Sequence, residues 1–128
     1  MTRLLLPYAL NRPEARHPCI IEDLLEVTDA HALTAMIEML TDLHQHGQES
    51  RYAKKLEGLP LWELKTRSRG GPKGGARVYF TFTGHGEALV INAEVKTGDT
   101  PSVAKITEAL AITLAYANGQ ARLQGGNR

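Results

Sequence analysis

A chain of 128 residues, 42% apolar and 23% charged, is long enough for one hydrophobic core, and its composition does not fit a disordered segment. No apolar run approaches the ~20 residues that span a bilayer, and the one cysteine, Cys19, excludes an internal disulfide and favours a reducing or an indifferent compartment. The net charge of +1 hides a polarity: residues 1–64 carry 6 Lys/Arg against 10 Asp/Glu, whereas residues 65–128 carry 9 against 4.

Residues 3–9 are short and apolar, are closed by Asn11, Arg12 and Pro13, and read as an edge strand. Leu4, Leu5 and Leu6 follow Arg3 as in a secretory signal, but Pro7 interrupts them and no small-residue cleavage site follows, so a cytoplasmic location is expected. Pro18 opens a first helix, on which Ile20, Ile21, Leu24 and Leu25 recur at helical spacing. Thr28 or Asp29 caps a second, stronger helix whose apolar stripe is Leu33, Met36, Ile37, Leu40 and Leu43, with Gly47 ending it. His44 and His46 fall in its last turn, where the dipole favours them, but a spacing of two points them apart and disfavours a metal pair.

The period then changes from 3.6 to 2. Trp62 and Leu64 alternate with Glu63, Lys65 and Arg67; Val78, Phe80 and Phe82 alternate with Arg77 and Tyr79. The glycine-rich stretch 69–75 joins these strands, residues 83–86 make a shorter turn, and residues 88–95 form a third strand, giving an antiparallel meander. Asp99 or Thr100 caps a last helix with Pro101 in its first turn. Its predicted stripe is Val103, Ile106, Leu110 and Leu114, and Asn118 with Gly119 stops it. Residues 1–118 form one domain, and residues 119–128 are expected to be a flexible tail.

The predicted fold is α+β, in the order β-α-α-β-β-β-α: a small antiparallel sheet of the N-terminal strand plus the meander, with two N-terminal helices and the C-terminal helix covering one face. If the even-numbered apolar residues of the first two meander strands face those helices, Lys65, Arg67, Arg77 and Tyr79 collect on the open side. Asn92 and Glu94 have the polarity expected of that face, and Lys96 follows at the strand end. Between Glu63 and Glu87 the chain has no acid, while Lys65, Arg67, Arg69, Lys73 and Arg77 form a basic run. Cations beside an exposed tyrosine are what single-stranded RNA needs, charges for phosphates and a ring for bases. The plainer alternative is a solvated hairpin in which Tyr79 and the cation stems shield sheet edges. Residues 70–75 do not make a phosphate-binding loop, since no Ser or Thr follows Lys73.

Three stretches carry a resemblance: residues 55–65 (KLEGLPLWELK), 76–80 (ARVYF) and 95–101 (VKTGDTP). In this order and spacing they resemble the RelE-like toxin superfamily, nearest its phage-derived, HigB-like branch, over roughly residues 18–117. The resemblance implies a toxin of a type II toxin–antitoxin pair that enters the ribosome, cuts mRNA and stops translation. It also implies a cognate antitoxin as partner, commonly a helix-turn-helix DNA-binding protein, and no membrane partner. Arg77 matches the strand arginine of the family and Lys96 the first lysine of the strand-to-helix junction. Lys65 stands where the family's "LWELR" strand has arginine, which keeps the charge and loses the bidentate fork. Asp99 replaces a usual lysine.

The implied chemistry is metal-independent and uses no cofactor: the ribose 2′-hydroxyl attacks the adjacent phosphate in line. In this reading Arg77 and Lys65 stabilise the developing negative charge, and Tyr79 stacks on a base. Arg67, Arg69, Lys73 and Lys96 complete the RNA-binding set. Relatives commonly take the general base from a tyrosine or histidine near the C-terminal helix. Here the candidates are Tyr116, His85 and Glu94, and packing or surface roles are the alternatives for the first two. Two other functions remain open from the residues: a toxin that binds a protein target such as gyrase, and a non-catalytic, phage-derived module that binds RNA or a partner.

Overall fold

Period-2 alternation in the second half and an apolar helix in the first half meet in a five-stranded sheet with a helix on each face. The computed structural model describes residues 1–9, 27–66, 75–84, 86–95, 100–118 and 121–123. Its elements are β1 (Arg3–Leu5), β2 (Pro7–Ala9), α1 (Ala30–His46), a 3-10 turn (Gly47–Glu49), β3 (Ala53–Lys55), β4 (Trp62–Lys65), β5 (Ala76–Gly84), β6 (Glu87–Val95), α2 (Val103–Ala117) and β7 (Ala121–Leu123). The sheet order is β1-β6-β5-β4-β3, antiparallel except that β1 runs parallel to β6. β2 and β7 pair in a separate two-stranded ribbon beside α2.

The meander β4-β5-β6 is the one the alternation predicts, and the class is α+β. Several finer expectations are corrected. The sheet is mixed rather than wholly antiparallel, because the short N-terminal strand joins the edge of β6 in the same direction. Residues 3–9 are two strands in two sheets, with the break at Leu6 ahead of Pro7, whose ring removes a ladder donor. Residues 121–123, expected in a flexible tail, pair with β2. β3 was not expected at all; it is three residues long, and two of them are lysines. The helix expected from Pro18 lies outside the described residues.

Asp29 caps α1, its Oδ1 accepting from the amides of His31 and Ala32 at 2.9 and 3.2 Å. Gly47 closes it at φ 57°, and a side chain there would collide with Thr2, whose Oγ1 lies 2.5 Å from an added Cβ. The buried side of α1 is Ala32, Met36, Met39 and Leu43; the predicted stripe is rotated off this, and Ile37 is 53% exposed. These residues pack on Leu64, Val78, Phe80, Ala88 and Val90. Trp62, Phe80 and Phe82 add edge-on ring contacts, with Phe82 5.0 Å from Trp62 and 5.2 Å from Phe80.

The opposite face of the sheet is covered too, and this overturns the expected open face. α2 lays Ala109 and Ile112 on Leu5, Leu61, Tyr79, Leu89 and Ile91 in a second apolar cluster. Its cap is Ser102 rather than Asp99 or Thr100, the Ser102 Oγ accepting from Lys105 N at 3.2 Å. Val103 and Leu114, expected in its buried stripe, are exposed.

Candidate functional site

Strand register decides which polar groups meet. Lys65 is opposite Arg77, and Arg77 opposite Glu94, so three residues on three strands stand in one row. The next row sets Lys54, Glu63, Tyr79 and Asn92 side by side on the same face. Side chains directly opposite on neighbouring strands share a face, and two strand spacings put Lys65 and Glu94 about 10 Å apart. A bulge at Ile91 shapes the third strand: Tyr79 pairs with Asn92 but Phe80 pairs with Val90. Val90 therefore turns toward α1, while Asn92 and Glu94 turn toward α2. Strict alternation puts all three on one side, so it is right for Asn92 and Glu94 and wrong for Val90.

The parity expected for Lys65, Arg77 and Tyr79 is thus found, but the exposure expected for Arg77 and Tyr79 is not. Arg77 is 1% exposed and pairs with Glu63, Nη1 to Oε2 at 2.9 Å, both side chains being buried. Tyr79 is 0% exposed; its ring lies in the second apolar cluster and its hydroxyl donates to Glu94 Oε2 at 2.5 Å. Neither group offers RNA the surface that the sequence suggested. For Tyr79 the physical reason is α2, which covers the face that a one-sided layer would have left wet, and Arg77 is buried against its partner Glu63. Burial first, then the hydrogen bond to Glu94, pushes the Tyr79 phenol well above the ordinary tyrosine range, so it remains a proton donor.

Polar contacts continue to the start of α2. Glu94 Oε2 also accepts from the amide of Ser102 at 3.1 Å, satisfying a helix N-terminus that has no intrahelical acceptor. Asn92 Nδ2 donates to the carbonyl of Lys105 at 3.1 Å and to Glu108 Oε1 at 2.7 Å, and Lys105 Nζ lies 3.5 Å from the same oxygen. Asn92 Oδ1 is buried with no hydrogen-bond partner among the described residues.

The margins of this cluster are wetter than its middle. Lys65 and Glu94 are half-buried and Lys54 is exposed. Tyr116 is a helix length away from Glu94, about 20 Å by the rise from Ser102, and packs on the second cluster, so it does not join the row. Arg67, Arg69, Lys73, His85, Lys96 and Asp99 lie outside the described residues. Three participants were not singled out from the sequence: Glu63, Lys54 and Ser102. Glu63 had a readable signal, since it is the one acid on the strand face that carries Lys65. Lys54 and Ser102 had none, because each depends on an element boundary that the pattern did not mark. Among the described residues no group of three His, Cys, Asp or Glu side chains is placed to hold a metal ion. No described helix is long and apolar enough to cross a membrane.

No protein-family model and no curated protein matches the chain.

Proposed function

We propose that this chain is the toxin of a type II toxin–antitoxin pair and that it stops translation by cutting mRNA on the ribosome. The carrying observation is the row Lys65–Arg77–Glu94, which draws on the two strand stretches of the resemblance and on the residue preceding the third. In this reading the working groups sit at the margins of the strands rather than at their centre. Lys54 and Lys65 meet the RNA phosphates, and Glu94, through Oε1, takes the proton of the 2′-hydroxyl. The 2′-oxygen–phosphorus bond forms as the bond to the 5′-oxygen breaks. The leaving oxygen is protonated from water, and the products are a 2′,3′-cyclic phosphate and a 5′-hydroxyl. Arg77 stays beneath as the buried partner of Glu63, a role different from the phosphate contact expected of it. The antitoxin, a helix-turn-helix protein in this reading, silences the toxin by binding it.

Expression without the antitoxin tests the proposal: growth stops and transcripts are cut, and Glu94→Gln and Lys65→Ala relieve both. Arg77→Ala is not diagnostic, because it strands Glu63 in the interior and lowers stability whatever the function.

One observation favours a second reading. With Arg77 and Tyr79 buried and bonded, the face resembles a structural interior more than an open catalytic surface, as a non-catalytic RNA- or partner-binding module would have it. That module binds RNA with salt-dependent affinity and leaves transcripts whole. A toxin of a protein target such as gyrase also leaves mRNA whole but blocks replication.

A further inference from the structure

We infer that Tyr79 and the N-terminal amide of α2 together form a holder for Glu94, fixing one carboxylate oxygen so that the other is presented at the rim of the sheet. Tyr79 is then a positioning residue, not a stacking platform for bases; the inference rests on the endoribonuclease reading and names how its base is oriented.

The geometry argues it from three sides. Tyr79 cannot stack on a base, because its ring is fully buried among Leu5, Leu61, Leu89, Ile91 and Ile112. Only its hydroxyl reaches the polar cluster, and there it donates to Glu94 Oε2. The second donor to that oxygen is the amide of Ser102, which comes from a different element and belongs to the capping residue of α2. Glu94 Oε1 makes no hydrogen bond or ion pair with any described residue, and the side chain is half-buried. One oxygen anchored by sheet and helix and the other left at the margin is the arrangement a base needs before substrate arrives. The phenol keeps its proton through the working pH range, since burial and the carboxylate both hold it there. The holder also links the catalytic margin to the seating of α2, because the amide moves with the helix.

Cleavage of mRNA on translating ribosomes, measured for the wild type, Tyr79→Phe, Glu94→Gln and the double variant, separates the roles. Tyr79→Phe retains the ring that fills the core and removes only the hydroxyl. The holder predicts a kcat about 100-fold lower with KM unchanged, the loss typical of a slightly misplaced group. The double variant is then no slower than Glu94→Gln alone, as expected of residues acting as a unit. Hydrogen exchange at the Ser102 amide reads the holder without any reaction: slow in the wild type and about 10-fold faster in Glu94→Ala. A Tyr79→Phe protein that cuts like the wild type overturns the inference and leaves the nuclease reading standing. A loss in Tyr79→Phe that follows only its lowered folded fraction makes the contact merely structural and overturns it too. A wild type that cuts nothing while Ser102 is protected sinks the nuclease reading, and the holder with it becomes a tie between helix and sheet.

Discussion

Arg77 lies in a basic run of the sequence and in a dry interior of the fold. Its partner is Glu63, and with side-chain exposures of 1% and 3% the pair has exchanged water for each other. Such a pair contributes little net stability compared with apolar residues of the same shape, yet breaking it leaves a buried charge. Glu63→Ala is therefore expected to cost about 3–5 kcal/mol in urea unfolding, and a Glu63→Met/Arg77→Met double variant to recover much of that. An unchanged midpoint in Glu63→Ala would show the guanidinium to be solvated. Tyr79 gives a second expectation with a definite sign. Its folded-state ionisation is raised, so the protein binds one more proton than the unfolded chain above about pH 10. The stability this group contributes is fully present below that pH and is lost as pH rises further. Alkaline unfolding should thus be steeper in the wild type than in Tyr79→Phe, and absorbance titration of the folded protein should find Tyr79 silent.

At the scale of elements, α1 is the one most tightly specified at both ends. Gly47→Ala forces a left-handed φ on a residue with a Cβ and drives it into Thr2, so a loss of about 1–3 kcal/mol is expected in thermal or urea unfolding. The meander was legible because period-2 alternation through Trp62, Leu64, Val78, Phe80 and Phe82 leaves one register that puts all five on the side of α1, three of them buried and Trp62 and Phe82 half-buried. α2 was legible as a helix but not in its orientation. Val103, Ile106, Ala109, Leu110, Ile112 and Leu114 put apolar groups on every side, and the side that packs carries Ala109 and Ile112 instead of the longest residues. β7 is a three-residue strand whose partner β2 lies near the other end of the chain, which no local pattern encodes. β3 pairs with the very next strand, but it is three residues long with two lysines and shows no apolar alternation. Parity could be read for Arg77 and Tyr79 because the backbone fixes it. Their burial could not, because it depends on which layer covers the face.

Across the whole molecule, charge is divided between an acidic first half and a basic second half. The proposed RNA contact on the described surface is made by Lys54 and Lys65. Together they should account for a slope of about 1.4 in log affinity against log salt on single-stranded RNA, which Lys54→Ala/Lys65→Ala removes. A slope unaffected by that change would place the contact elsewhere. Mapping of RNA ends after adding the purified chain to translating ribosomes reads the proposed cleavage at its products. New ends bearing 2′,3′-cyclic phosphate are expected from the wild type and not from Glu94→Gln. Transcripts that stay full length beside a folded wild-type protein would end the nuclease proposal.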